Sequence, residues 1–461
     1  MHSESDVVGW RDRGGVVLVS CYELGHQPLA IASVVPHFIE AGFQPVCVDV
    51  STERFDPAAV SRARFVAISV PMHTALRIGV RVAEEVRRVN GSAQIAFFGL
   101  YAALNHEFLL GRYGDACLGG ETDGPLVALA KRLEAGESHE QLGAMSKVHL
   151  ERPRFFLPVR DGLPPLRRYA RLEKGGQQIL AGAVEASRGC LHRCRHCPIT
   201  PIYNGRFFVV PEEIVLSDIA ALVARGAGHI TFADPDFLNG PTHAVRIARV
   251  LHARWPALSF DFTAKVEHLL RHAVLATEFA ALGCAFVVTA VESFSDVVLE
   301  NLKKGHTRDG AIAALRMVRQ AGISVHPSFV PFTPWTTRGD YVTMLDLLEA
   351  EDLVDSVDPI QLAIRLLVPP RSALLSEPVM TSYLGPVDRE NFVVPWRHPD
   401  PSMDTLQSEV VAMVADAVAR GEAPATTFRA VKRLASAGSD RTLDFVPHRE
   451  PPPRLTEPWF C

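Results

Sequence analysis

Glu185-Ala186-Ser187-Arg188-Gly189-Cys190-Leu191-His192-Arg193-Cys194-Arg195-His196-Cys197-Pro198 places three cysteines at spacing C-x3-C-x2-C on one short loop. Three thiolates this close can converge on one metal centre without help from distant chain. A structural zinc site wants four protein ligands, and the local sulfur count stops at three. Thiolates also hold iron–sulfur clusters, and a cubane held by three of them keeps one iron open for a small chelating ligand. An open iron is a catalytic feature. The competing reading is a zinc knuckle in which His192 or His196 supplies the fourth ligand.

Outward from this loop the chain alternates. Strand candidates stand at 181–186, 229–233, 258–264, 284–291, 323–330 and 359–366, with helical patterns at 211–226, 241–254, 270–282, 309–321 and 338–351. Short apolar strands separated by helices indicate a parallel sheet covered on both faces. The cysteine spacing, preceded by Arg188-Gly189 and followed by Pro198, resembles the cluster loop of the radical S-adenosylmethionine enzymes. The resemblance implies that Cys190, Cys194 and Cys197 bind a [4Fe–4S] cluster whose open iron takes the amino and carboxylate groups of S-adenosylmethionine. One electron then cleaves the sulfonium to methionine and a 5′-deoxyadenosyl radical. The same resemblance implies a partial (β/α)6 barrel, for which six strands is the expected count, and barrels put their chemistry on the loops at the carboxyl ends of the strands.

Those loops carry polar residues. Asp234-Pro235-Asp236 follows the second strand, where the family holds the cofactor's amino group; Asp234 and Asp236 are the candidates, although Asp-Pro is also an ordinary turn dipeptide. Thr263-Ala264-Lys265-Val266-Glu267-His268 alternates polar and apolar residues, so Lys265 and Glu267 are expected on one face of an extended segment, as site residues or as a surface pair. Glu292-Ser293, followed by Lys304-Gly305, resembles a Glu-Ser…Lys-Gly segment found beside the cofactor in cobalamin-type members, which makes Glu292 and Ser293 candidates. His326-Pro327-Ser328 stands at the family's adenine site but lacks its second glycine, so only a backbone role carries over. Arg365 closes the sixth strand candidate, where a cation can meet a carboxylate of cofactor or substrate or serve the barrel floor.

Upstream of the cysteines, apolar runs at 16–21, 45–50, 65–70, 94–99 and 115–118 alternate with helical patterns at 28–41, 72–90, 102–111 and 122–136. This rhythm suits a flavodoxin-like doubly wound domain, whose ligands sit beyond the carboxyl ends of the strands. Such a domain ahead of the cluster loop resembles the cobalamin-binding domain of a large radical S-adenosylmethionine subclass, and implies cobalamin. The Asp-x-His-x-x-Gly signature of a histidine-ligated cobalt is absent and Glu23 and His26 have a different spacing, so His26 reads as a loop residue, with an axial cobalt ligand as the alternative. The expected division is a cobalamin-binding-like domain over 14–140, a proline-rich linker over 141–178, the barrel over 179–368 and a C-terminal extension over 369–461 that covers the barrel mouth.

Across 461 residues the net charge is −5, so no global basic surface argues for nucleic-acid binding. The first 13 residues have no apolar signal-peptide core, and no run long enough to span a membrane occurs. Eight cysteines, three in one loop, do not form a secreted disulfide framework, and the expected compartment is the cytoplasm. Tyr22-Glu23-Leu24-Gly25-His26-Gln27-Pro28 and the end Glu457-Pro458-Trp459-Phe460-Cys461 together resemble a radical S-adenosylmethionine group whose chains finish Cys-(selenocysteine or Cys)-Ala-Glu-Pro. The corresponding expectation is that the chain stops at a UGA codon after Cys461, which a coding sequence with another stop there removes. The functional expectation is cleavage of S-adenosylmethionine at a [4Fe–4S] cluster, with cobalamin-dependent methylation or another radical change of a small molecule or peptide, fed by a flavodoxin or ferredoxin. The alternative is a non-catalytic zinc or electron-transfer iron–sulfur module.

Overall fold

A computed structural model describes residues 8–137, 147–436 and 451–457. In the N-terminal unit, β1 (Val16–Ser20), β2 (Val46–Asp49), β3 (Phe65–Ser69), β4 (Gln94–Phe98), β5 (Ala116–Gly120) and β6 (Val148–His149) form one sheet in the order β2-β1-β3-β4-β5-β6. All of its pairings are parallel. β1 and β3 are buried at every position, which is why they read as unbroken apolar runs: helices cover both faces. Helices Leu29–Glu40 and Asp123–Glu134 pack on one face, around Leu18, Val34, Phe38 and Leu129, and helix His73–Val89 packs on the other, around Val66, Ile68 and Leu76. The short β6 falls within the proline-rich linker and extends this sheet.

The second unit begins with a hairpin, β7 (Arg171–Lys174) and β8 (Gln177–Val184). A small ribbon, β9 (Ser187–Gly189) and β10 (Phe207–Val209), follows. β11 (His229–Phe232), β12 (Ser259–Thr263), β13 (Cys284–Glu292) and β14 (Ser324–Phe329) then join β8 in parallel, and β15 (Arg454–Leu455) adds antiparallel to β7. The order is β14-β13-β12-β11-β8-β7-β15. Helices Glu212–Ala224, Pro241–Arg254, Val274–Ala281, Arg308–Gln320 and Arg338–Ala350 cover its outer face, and the largest apolar cluster lies between them and the sheet.

Two expectations are corrected. The sixth barrel strand does not form: Pro359–Leu362 is a 3-10 turn capped by Asp358, the Gln361 side chain accepts the N–H of Phe329 at 3.1 Å, and the only backbone pairing among the described residues is an isolated Phe332–Arg365 bridge past the end of β14. Proline has no N–H for a strand ladder, and an aspartate before it accepts the N–H of Ile360 instead. Nor do Lys265 and Glu267 share an extended face, because β12 stops at Thr263 and a helix starts at Val266. The C-terminal extension has a second helix, Pro424–Ala435, after Pro401–Ala419. Among the described residues no helix is long and apolar enough to cross a membrane, and Cys461 lies outside them.

Candidate functional site

The cysteine loop grows from the β9–β10 ribbon at the carboxyl end of the first barrel strand. Gly189 there has φ +78°, and a Cβ on it would stand 2.5 Å from the Tyr203 ring. Cys190 N–H donates to Arg206 O at 3.1 Å, Cys197 N–H to Cys194 O at 3.3 Å and Thr200 Oγ1 to Cys194 O at 2.7 Å. Arg195 N–H reaches across to Leu302 O at 3.0 Å, and Asn239 Oδ1 accepts Leu191 N–H at 3.2 Å. These bonds tie the loop's backbone to its surroundings. All three cysteines are free and mutually coupled by charge. Burial raises the Cys190 thiol and pushes that of Cys197 up to about 12, so metal uptake at neutral pH displaces protons.

Asp234 and Asp236 do different work. Asp234 accepts Ala186 N–H at 2.9 Å and the Ser187 hydroxyl at 2.5 Å, so both of its oxygens brace the strand leading into the cysteines. Burial, with Glu185 nearby, pushes its carboxyl up to about 7. Asp236 caps a turn at Leu238 and faces two imidazoles, His268 Nδ1 at 2.8 Å and His192 Nε2 at 3.5 Å. Burial works against its charge, but those two partners outweigh it and hold the carboxyl below its usual range. Lys265 Nζ lies 3.1 Å from His192 Nδ1 and 3.4 Å from Glu267. The ligand atoms of His192, Asp236 and His268 lie within 4.8 Å of one another, a spacing one metal ion can use. The Lys265 ammonium already supplies a cation there, so the group reads as a hydrogen-bonded network beside Cys190. Sequence reasoning missed His268, whose helix placement hid its pairing with Asp236.

Glu292 ends β13 at a register shift and takes φ +66°, a conformation that a non-glycine residue keeps only where its surroundings impose it. Its Oε1 meets Lys304 Nζ and His196 Nε2, each at 3.1 Å. Burial opposes the carboxylate, yet Lys304 and His196 hold it well below the usual range. Lys304 is itself buried and coupled to Cys194 and Cys197, so this pair places a cation against the cluster thiolates. Ser293 Oγ accepts Ser295 N–H at 3.0 Å. Arg365 stands apart: it donates to Asp404 at 2.6 Å and Trp396 O at 2.7 Å and stacks on the Trp396 ring, tying the C-terminal extension to the barrel.

A cavity of about 890 Å³, counting its part open to solvent, lies between the two sheets. Ala30, Ser69, Gly99, Leu100 and Gly120 line it from the N-terminal unit, and Glu185, Arg188, Gly189 and Tyr203 from the cysteine loop. The carboxyl ends of β3, β4 and β5, where a doubly wound sheet is expected to bind its ligand, meet here. The β1 end does not. Glu23 caps helix Leu29–Glu40 through the N–H groups of Leu29 and Ala30, and buried His26 has Asp261 and His229 of the barrel as its titratable neighbours.

Residues 184–348, the stretch from the end of β8 into helix Arg338–Ala350, match the Radical SAM superfamily. The chain carries a radical SAM domain. Such a domain works with a [4Fe–4S] cluster and S-adenosylmethionine, and the three converging thiols are the matching donor set. The chain is 23% identical over 314 residues to an uncharacterised methyltransferase of Pyrococcus horikoshii, covering 65% of this chain and 66% of that one. It is 27% identical over 203 residues to a tRNA-2-methylthio-N(6)-dimethylallyladenosine synthase of Desulfosudis oleivorans, covering 42% and 43%. The chain thus spans 66% of the first of these relatives and 43% of the second. Among solved structures, the radical SAM methyltransferase TsrM from Kitasatospora setae, with tryptophan and a SAM analogue bound, aligns with TM-score 0.59 at 18% identity over 73% of this chain and 71% of that one. The cobalamin-dependent radical SAM enzyme OxsB, with aqua-cobalamin bound, aligns with TM-score 0.65 at 17% identity over 86% and 66%. These likenesses extend the shared fold beyond the radical SAM domain to the N-terminal sheet.

Proposed function

We propose that this chain is a cobalamin-dependent radical S-adenosylmethionine methyltransferase acting on an unactivated carbon of a small molecule or peptide. The observation that carries the reading is the cavity between the carboxyl ends of the doubly wound sheet and the cysteine loop, bounded by both. Cobalamin suits its lining, where Ser69 Oγ at the end of β3 is buried without a hydrogen-bond partner. When bound, the cluster supplies the electron that cleaves S-adenosylmethionine, and cobalamin serves as methyl carrier.

The chain's own residues hold and orient. Cys190, Cys194 and Cys197 would hold the cluster, and the Lys304 ammonium, fixed by Glu292, offsets the charge of their thiolates. Asp236 is the carboxylate beside Cys190 available to an ammonium, with His192 and His268 sharing its charge. Asp234 braces the loop from behind. The extension tied down by Arg365 keeps water from the barrel mouth. The electron donor of this reading is a flavodoxin or ferredoxin, and its compartment is the cytoplasm, in keeping with the free thiols at all seven described cysteines.

Anaerobic reconstitution with iron, sulfide and cobalamin, followed by reductant and S-adenosylmethionine, tests the reading. The expected products are 5′-deoxyadenosine and S-adenosylhomocysteine, both lost in Cys194→Ala. Tight zinc binding with no cleavage under any reductant would instead favour a non-catalytic metal module.

A further inference from the structure

The cavity wall is unbalanced in charge. Arg188, two residues before Cys190, meets Glu185 at 2.7 Å, Asp123 at 2.8 Å and Glu121 at 3.2 Å. Glu121 also accepts the Tyr203 hydroxyl at 2.9 Å, and His37 Nε2 stands 3.8 Å from Asp123. Burial keeps His37 below its usual range, so it adds little positive charge. Three carboxylates therefore face one guanidinium. Among the described residues lining the cavity, Asp123 and Glu185 are acidic and Arg188 is the single cation. An acidic cluster alone implies no ligand, but the opposite wall adds an independent sign. Ser69 is 1% exposed and its hydroxyl, at the end of β3, finds no partner in the protein. A buried hydroxyl in that state belongs to a ligand or to water.

Surplus carboxylate oxygens in a partly desolvated wall accept N–H donors and repel anions. We infer that the cavity selects its occupant by charge: it takes a corrinoid whose rim carries neutral primary amides and rejects one bearing carboxylates at the same rim, with Asp123 and Glu185 as the acceptors. This rests on the cobalamin reading above and adds the specificity of that site.

The test is an absorbance titration of the full metal-free chain with cobalamin and with the monocarboxylic acids obtained by hydrolysing one rim amide. The acids are expected to bind at least about tenfold more weakly at neutral pH, by a gap that narrows as salt rises. Asp123→Asn and Glu185→Gln, both isosteric and checked for folding by circular dichroism, are each expected to narrow the gap, and Ser69→Ala to weaken cobalamin itself. Equal binding of amide and acid by the wild type overturns the charge selection while leaving the cobalamin reading in place. A gap unmoved in both acidic variants overturns the assignment to these two residues. Failure of every corrinoid to bind overturns both readings together.

Discussion

Two aspartates separated by one proline are held in opposite states. Asp234 is buried against Ala186 N–H and Ser187 and keeps its proton to about pH 7, whereas Asp236 is held charged by two histidines. An unfolded aspartate titrates near 3.9, roughly. Between that value and about 7 the folded chain binds one proton more than the unfolded chain, so Asp234's contribution is full at low pH and is lost as pH rises. Asp234→Asn is expected to remove this loss. In urea unfolding the variant should gain on the wild type as pH rises from about 5 to about 8, and a difference independent of pH would contradict the assignment. Glu292 has the opposite sign. Its depressed carboxyl stabilises the fold above the usual carboxylate range and loses that contribution as pH falls through it. Glu292→Gln leaves the buried Lys304 without its carboxylate, at an expected cost of about 3–5 kcal/mol in denaturant unfolding near neutral pH. A cost under about 1 kcal/mol, the level of an exposed pair, would show that Lys304 finds another partner.

At the scale of elements, the cysteine loop depends on the ribbon beneath it. Gly189→Ala would put a methyl 2.5 Å from the Tyr203 ring and 2.6 Å from Arg206 O at φ +78°. The expected outcome is a loss of about 1–3 kcal/mol and a fall in iron retained after reconstitution, read by iron assay. Full iron content would mean that the cysteines find their geometry without the ribbon. This loop was legible in the sequence because its ligands are contiguous, and the buried parallel strands because helices on both faces leave them wholly apolar. The run 359–366 is as apolar as a strand, and only Asp358-Pro359 turned it into a capped 3-10 turn. Pairings across the chain carried no local signal. Arg188 finds Asp123 and Glu121 at separations of 65 and 67 residues, and Arg365 finds Asp404 at 39. Alternating hydrophobicity says which face of an element is buried, not which charge waits on the other side.

At the scale of the whole molecule, the last described strand joins parts that the order of elements would leave separate. β15 pairs with β7 at the edge of the barrel sheet, and Leu455 packs on Leu172, Ala181, Phe286 and Val288 inside it. His326 Nε2 on β14 lies 2.7 Å from Pro453 O, so the strand also reaches the far edge of the incomplete barrel. Glu457 then accepts the Tyr22 hydroxyl at 2.7 Å and lies against Gly25, both in the loop after β1 of the N-terminal unit. The segment therefore reaches from the β7 edge of the sheet to β14 and ties the barrel sheet to the loop after β1. Leu455→Ala is expected to cost about 2–4 kcal/mol, because it opens a cavity in a buried apolar cluster. Tyr22→Phe, which removes one hydrogen bond, should cost about 0.5–1.5 kcal/mol. If the strand acts as one fastening, the two losses fall short of adding, since freeing either end lets the short strand leave. Urea unfolding of both single variants and the double variant measures this directly. Strict additivity would mean that the two contacts stabilise their own units independently, and that the ion pairs around Arg188 hold the cavity closed without help from the end of the chain.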